Sequence, residues 1–265
     1  MEPAPATIAA AVADRHAELS ELLDDLEELE IRAASGLAGW DRMTVLCHLR
    51  YGAEASLRVT EAALRGERAA FYPDGRTVER PWTLQPRPGE GPFDIVREFR
   101  RSAAALDAAW AAMGTTDWDV VAVEPDDNPD LGPMSLGALA VLRLTEVEVH
   151  GVDLDVGAAD WSDAFIAAAL PLRLRWLPDR RAHCEDGEHG ATGSWSFRPD
   201  EGDPVTITVD ADGARVDDGA TGEVEFAGAP ATLLGVLLGR RPLSDLRIEG
   251  DRSAAEAFAN AFPSP

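Results

Sequence analysis

The chain has 265 residues, 45% of them hydrophobic, which is enough for full cores and for more than one domain of ordinary size. Its 48 acidic residues against 24 basic ones give a formal net charge of −24, which repels phosphate backbones and anionic membranes and sets nucleic acid aside as a partner. Every basic residue is Arg, so Schiff-base chemistry on Lys is excluded, and two cysteines, Cys47 and Cys184, are too few for a secreted disulfide scaffold.

Residues 5–34 read as one long helix, with Ile8, Val12, His16, Leu19, Leu22, Leu23, Leu26, Leu29 and Ile31 near helical spacing and acidic residues between them. There is no basic region ahead of an apolar run in residues 1–13, so no signal peptide is expected. A break at residues 36–40 precedes a second helix over 43–65, stopped by Gly66. Residues 71–92, rich in Pro, Gly and Arg, read as a long loop suited to carrying functional groups. A third helix covers 93–113, a turn-rich acidic stretch covers 114–133, and a fourth helix runs from an N-cap at Ser135 to about Asp153. Four such helices predict an α-helical bundle. A further helix over 162–177 leads to a second half of different pattern.

There the period becomes two. Strands are predicted at 194–197, 205–209, 214–216 and 223–226, then a helix at 230–238, a strand at 246–249 and a helix at 253–262. This half reads as α+β with a mostly antiparallel sheet. The boundary falls between residues 160 and 190, taken as domains 1–160 and 161–265, with residues 179–192 as a polar loop. No run approaches the ~18 apolar residues of a membrane span, and with two cysteines and no signal peptide expected a soluble, cytoplasmic setting follows. Nothing in the sequence sets the oligomeric state, and a monomer is the default expectation.

Chemistry concentrates in Arg143-Leu-Thr-Glu146-Val-Glu-Val-His150-Gly-Val-Asp153. Glu146 and His150 are four apart, which puts a carboxylate and an imidazole on one helix face. Arg143 and Asp153 extend nearly the same face, a polar stripe that needs partners if it points inward. Spacing alone favours a solvated surface pair. His48, in Trp40-Asp-Arg-Met-Thr-Val-Leu-Cys47-His48, lies near the start of the second helix, and a lone His there is as easily a core residue. A bundle can bring the two segments together. Two His and one carboxylate are then the ligand set of a catalytic zinc, or of nickel or ferrous iron, with a position left open. Cys47, one residue from His48 and ~100° away around the helix, is expected in the core. Cys184 with His183 and His189 is loosely spaced and reads as plain loop.

These segments, Trp40 to His48 and Arg143-x-x-Glu146-x-x-x-His150-x-x-Asp153-Leu154, resemble the mycothiol-dependent maleylpyruvate isomerase family. The resemblance implies a DinB-like N-terminal bundle joined to a smaller domain like sterol carrier protein 2. It implies zinc on His48, Glu146 and His150, mycothiol as thiol co-substrate, and an actinobacterial source, which suits the lysine-free, Ala-, Gly- and Asp-rich composition. It also implies an arginine of the second domain facing an anionic substrate, here Arg240 or Arg241, either of which could instead face solvent or pair with Asp245 or Asp251.

A metal-held thiol loses its proton more readily and the thiolate is the nucleophile, so the expected reaction is S-transfer to, or cis–trans isomerisation of, a small and possibly anionic electrophile. Arg143 would hold a carboxylate or orient Glu146, and Asp153 would support a ligand histidine. In the long loop, Arg80 and Trp82, with Arg87 nearby, are expected to bind the co-substrate or cover an anionic substrate. Trp40, Trp110 and Trp118 suit either a pocket or the core. The alternatives are a metal-dependent hydrolase with Glu148 or Asp153 as base, and a non-enzymatic small-ligand-binding module.

Overall fold

Helical periodicity in the first part of the chain and two-residue alternation in the last build two kinds of layer. The computed structural model describes residues 3–128, 130–182, 192–200, 202–219 and 221–262. The chain divides into two units, Met1–Phe165 and Ile166–Pro265.

In the first unit, α1 (Pro5–Asp24), α3 (Arg42–Leu64), α5 (Pro92–Ala111) and α6 (Leu136–Asp153) are the long elements. α3 packs against α5 and α6, and α1 packs against the same two. Their apolar stripes supply Ile8, Val12 and Leu19, then Val45, Leu46 and Leu49, then Ile95, Phe99 and Leu106, then Leu139, Leu144 and Val147, all buried. Each such side chain contributes roughly 1.5–3 kcal/mol, more than the ~1 kcal/mol of a helix cap. Packing, not capping, therefore holds α3 beside α6.

The caps set where those helices start. The Asp41 carboxylate accepts from the Thr44 N–H at 2.7 Å, and the Ser135 hydroxyl accepts from the Ala138 N–H at 3.1 Å. The segment before α3 is fastened to the end of α6. Arg42 donates to the carbonyls of Leu154 (2.8 Å) and Asp155 (2.5 Å), and the Gly36 N–H donates to the Asp153 carbonyl at 2.7 Å.

Three expectations for this unit are corrected. The helix expected over 5–34 ends at Asp24, and a short helix, α2 (Glu28–Ile31), restarts beyond it. The Glu27 and Glu30 side chains form a reciprocal capping box there, so local hydrogen bonds outcompete continuation through a crowded acidic stretch. The long loop over 71–92 contains α4 (Arg76–Thr83), entered through Gly75 at φ 88° and carrying Pro81 inside it. The turn-rich stretch 114–133 holds a short 3₁₀ helix, Thr115–Asp119, and β1 (Val121–Ala122), which pairs antiparallel with β2 (Met134–Ser135).

The helix expected over 162–177 continues: α7 spans Asp163–Ala182, through Pro171 and Pro178. Cys184, His183 and His189 lie outside the described residues.

In the second unit β3 (Gly193–Pro199), β4 (Val205–Asp210), β5 (Gly213–Asp218), β6 (Val224–Gly228) and β7 (Arg247–Gly250) form one sheet in the order β5-β4-β3-β6-β7. Its pairs are antiparallel except β3 with β6, which is parallel. The register sets Trp195 opposite Ile207 and Val224, and Phe197 opposite Phe226, so one face is continuously apolar. Phe258 of α9 (Arg252–Ala261) meets Trp195, Phe197 and Phe226, and α8 (Pro230–Leu237) packs on β3 and β6. Among the described residues no helix is long and apolar enough to cross a membrane.

Candidate metal centre

His48 lies in the second turn of α3, and Glu146 and His150 lie one turn apart near the end of α6. Because α3 and α6 pack side by side, residues 98 apart in sequence meet: His48 Nε2 contacts Glu146 Oε2. His150 Nε2 lies 3.7 Å from the same oxygen. One ligand atom from each of the three residues falls within 4.8 Å of the other two.

The protonation states suit a cation. Burial pushes the His48 imidazole down, with His150 and Arg80 acting in the same direction and Glu146 opposing, which favours the neutral ring with a free lone pair. Burial pushes the Glu146 carboxyl up, but His48, His150 and Arg143 outweigh it and hold the group well below the usual carboxylate range. Asp153 Oδ2 accepts from His150 Nδ1 at 2.9 Å, leaving the Nε2 lone pair turned toward Glu146. Two nitrogens and an anionic oxygen are a fitting donor set for a divalent ion.

The surroundings are aromatic and cationic. The Trp40 indole lies parallel to the His150 ring, with centroids 5.9 Å apart and planes 10° apart, and edge-on to His48 at 5.6 Å. Tyr51, one turn after His48, stacks on Tyr72 at 5.2 Å, and its hydroxyl meets Glu79 at 2.8 Å. Arg80 Nη1 donates to the Tyr72 hydroxyl at 3.3 Å. Among the described residues up to Phe165, Arg80 and Arg143 are the arginines that meet neither a carboxylate nor a backbone carbonyl.

The remaining sequence candidates each have their own local setting. Trp82 is 72% exposed on α4. Arg87 is bound to Glu54 at 2.7 Å. Glu148, a candidate base for hydrolysis, is turned away: its carboxylate meets Arg15 at 2.9 Å and accepts from the Ser162 hydroxyl at 2.5 Å. Cys47 is fully buried and its thiol is pushed up to about 11 by burial, so it is core and not nucleophile. Trp110 and Trp118 are also buried. Arg240 and Arg241 are exposed in the turn after α8, with Arg241 3.6 Å from Asp245.

Sequence reasoning missed the layer beneath the centre. Arg143 Nη2 donates to His16 Nε2 at 2.9 Å, and His16 Nδ1 donates to Asp107 at 2.8 Å. His16 was visible as the one polar residue in the apolar stripe of α1, which signals a buried partner.

A helical unit with two imidazoles and a carboxylate converging between two of its helices, followed by an α+β unit, defines a two-unit protein with a candidate divalent-metal centre. The chain belongs to the mycothiol maleylpyruvate isomerase family: residues 12–155, more than half of it, match that family's N-terminal domain. The fold is similar to two crystal structures, of mycothiol-dependent maleylpyruvate isomerase and of a histidine-to-alanine mutant of it. Each has a TM-score of 0.64 and 19% identity, covering 92% of this chain and 91% of that one. That likeness is one of fold. No curated protein matches by sequence.

Proposed function

We propose that this protein is a mycothiol-using enzyme, an S-transferase or cis–trans isomerase acting on a small electrophile, with Zn²⁺ (or Ni²⁺ or Fe²⁺) held by His48, Glu146 and His150. Family membership supports the thiol, and we read the helical unit as DinB-like and the second as like sterol carrier protein 2. The observation that carries the metal is the convergence of three ligand atoms within 4.8 Å.

A divalent ion bound there lowers the pKa of a thiol that shares it, and the thiolate is the reactive form. The chain's own residues prepare for this. His48 stays neutral, Glu146 stays ionised, and Asp153 fixes the tautomer of His150. Arg80, whose side chain donates to the Tyr72 hydroxyl, places a positive charge near His48, suited to a carboxylate on the electrophile. In isomerisation the carbon–sulfur bond forms and breaks again after rotation about the former double bond; in transfer it persists and the substrate takes up a proton. Hydrolysis is less well served, because Glu148 is engaged elsewhere and Asp153 is committed to His150.

The test is metal content by mass spectrometry of the full-length protein together with calorimetric titration of mycothiol. One equivalent of zinc with saturable mycothiol binding is expected. Zinc without thiol binding would favour the hydrolase. Neither zinc at purification nor uptake on addition would return the three residues to ordinary helix positions.

A further inference from the structure

The metal ligands come from two helices, and an imidazole turns easily about its last side-chain bond. Asp153 restrains the His150 ring at Nδ1. His48 makes its hydrogen bond with Glu146 and its ring contacts with His150 and Trp40. One indole therefore touches both imidazoles. It lies flat against His150 (10° between planes) and edge-on to His48 (79°), while the two imidazoles stand at 89° to each other, 4.7 Å apart.

Trp40 is itself anchored. Its N–H donates to the Leu37 carbonyl at 3.1 Å. Its own carbonyl accepts from the Ser35 N–H at 3.2 Å and from the Ser35 hydroxyl at 2.9 Å. Gly39, at φ 81°, makes the turn just before it, in a conformation that favours glycine. On the other side, Asp41 caps α3 and Arg42 is clamped to the end of α6. The backbone that carries the indole is thus fixed by the same short segment that fastens the start of α3 to the end of α6.

Resting on the metal centre proposed above, we propose that Trp40 is a positioning residue: its ring braces the His48 and His150 imidazoles in the mutual orientation that binds the ion. Hydrogen-bonded outer-shell partners of ligand histidines typically change metal affinity about 10–100-fold when removed, and a ring packed on both imidazoles is expected to act at the lower end of that range. The face of an aromatic ring, not the indole N–H, supplies the brace, so phenylalanine should substitute in part.

The experiment is a Co²⁺ titration of full-length wild type, Trp40→Ala and Trp40→Phe. It is followed by the visible absorption of the bound ion, which reports the number and symmetry of ligands, and accompanied by the Tm of each ion-free protein. Trp40→Ala is expected to weaken Co²⁺ binding by about tenfold or more and to alter the band shape, while ion-free Tm values stay close together. Trp40→Phe is expected to recover most of the affinity and the wild-type bands. Trp40→Ala binding as tightly as wild type with an unchanged spectrum would overturn the role of Trp40 and leave the centre standing. Equal losses in both variants, tracking their Tm, would reduce Trp40 to a packing residue. Failure of the wild type to take up Co²⁺ would overturn the centre and the brace together.

Discussion

The guanidinium of Arg143 fills the space that a side chain at Gly52 would need. A Cβ placed on Gly52 would lie 2.8 Å from Arg143 Nη1. Gly52 is one turn beyond His48 on α3, and Arg143 is one turn before Glu146 on α6, so the pair forms the layer beneath the candidate centre. With Arg143 on His16 and His16 on Asp107, the helices α3, α6, α1 and α5 each give this layer one residue. Arg143 is 2% exposed, and burial pushes it down to about 10, which still leaves it charged at neutral pH. Its Nε and Nη1 have no hydrogen-bond partner, so the nearby charges of Glu146 and Asp107 are what offset the desolvation.

Gly52→Ala is therefore expected to destabilise the first unit. Nη1 is the end of a flexible chain, but the guanidinium is buried and its Nη2 is tied to His16, so it cannot swing into solvent. Overpacking of this kind costs about 1–3 kcal/mol, read as a lower urea midpoint. An unchanged midpoint would mean that the guanidinium has another place to go.

Stability should also fall with acid through His16. Arg143 can only donate, so His16 Nε2 accepts and the ring is neutral; burial lowers its pKa below the ordinary 6.5, outweighing the opposing Asp107. The unfolded chain then binds the proton first. His16 contributes its full stability above pH 6.5 and loses it as pH drops toward the lower folded value. The difference in Tm between wild type and His16→Gln, measured in chelator, should shrink from pH 8 to pH 5. Parallel profiles would contradict this.

Arg80→Ala tests the anionic side of the proposed function. Losing one charge-assisted hydrogen bond, about 1.5–3 kcal/mol, should raise KM for a carboxylate-bearing electrophile by roughly tenfold or more. Metal content and kinetics with an uncharged electrophile should stay as in wild type. An equal effect on both electrophiles would remove Arg80 from substrate recognition.

Glu124 is the anchor of the loops that carry this arginine. Its buried carboxylate accepts from the N–H groups of Phe71 (2.8 Å), Asp130 (2.7 Å) and Leu131 (2.6 Å). Glu124→Ala leaves these part-buried donors without their acceptor, and the expected loss is about 1–3 kcal/mol. Hydrogen exchange should show faster exchange at Phe71; unchanged protection there would contradict the anchor.

Much of this was legible in the sequence. α3, α5 and α6 lie within a residue or two of their expected limits, because Asp41 caps α3, Pro92 opens α5, Ser135 caps α6, and their apolar stripes are continuous. α4 was hidden by the Pro, Gly and Arg around it, and α2 by the regular leucines that run across its break. The parallel pairing of β3 with β6 joins strands that are not neighbours in sequence, so no local pattern records it. Trp40 could be read as pocket or core; only its ring planes relative to His48 and His150 give it a place.

The sequence by itself determined the local features: the period of each element, its caps, and the spacing that sets Glu146 and His150 on one helix face. These depend on interactions within a few residues, which the order of side chains specifies directly. Tertiary structure alone decided which helices became neighbours. That choice brought His48 to Glu146 across 98 residues, laid Trp40 on both imidazoles, and sealed Arg143 against Gly52. Such contacts are selected by the packing of whole apolar faces, and the polar residues meet where that packing carries them.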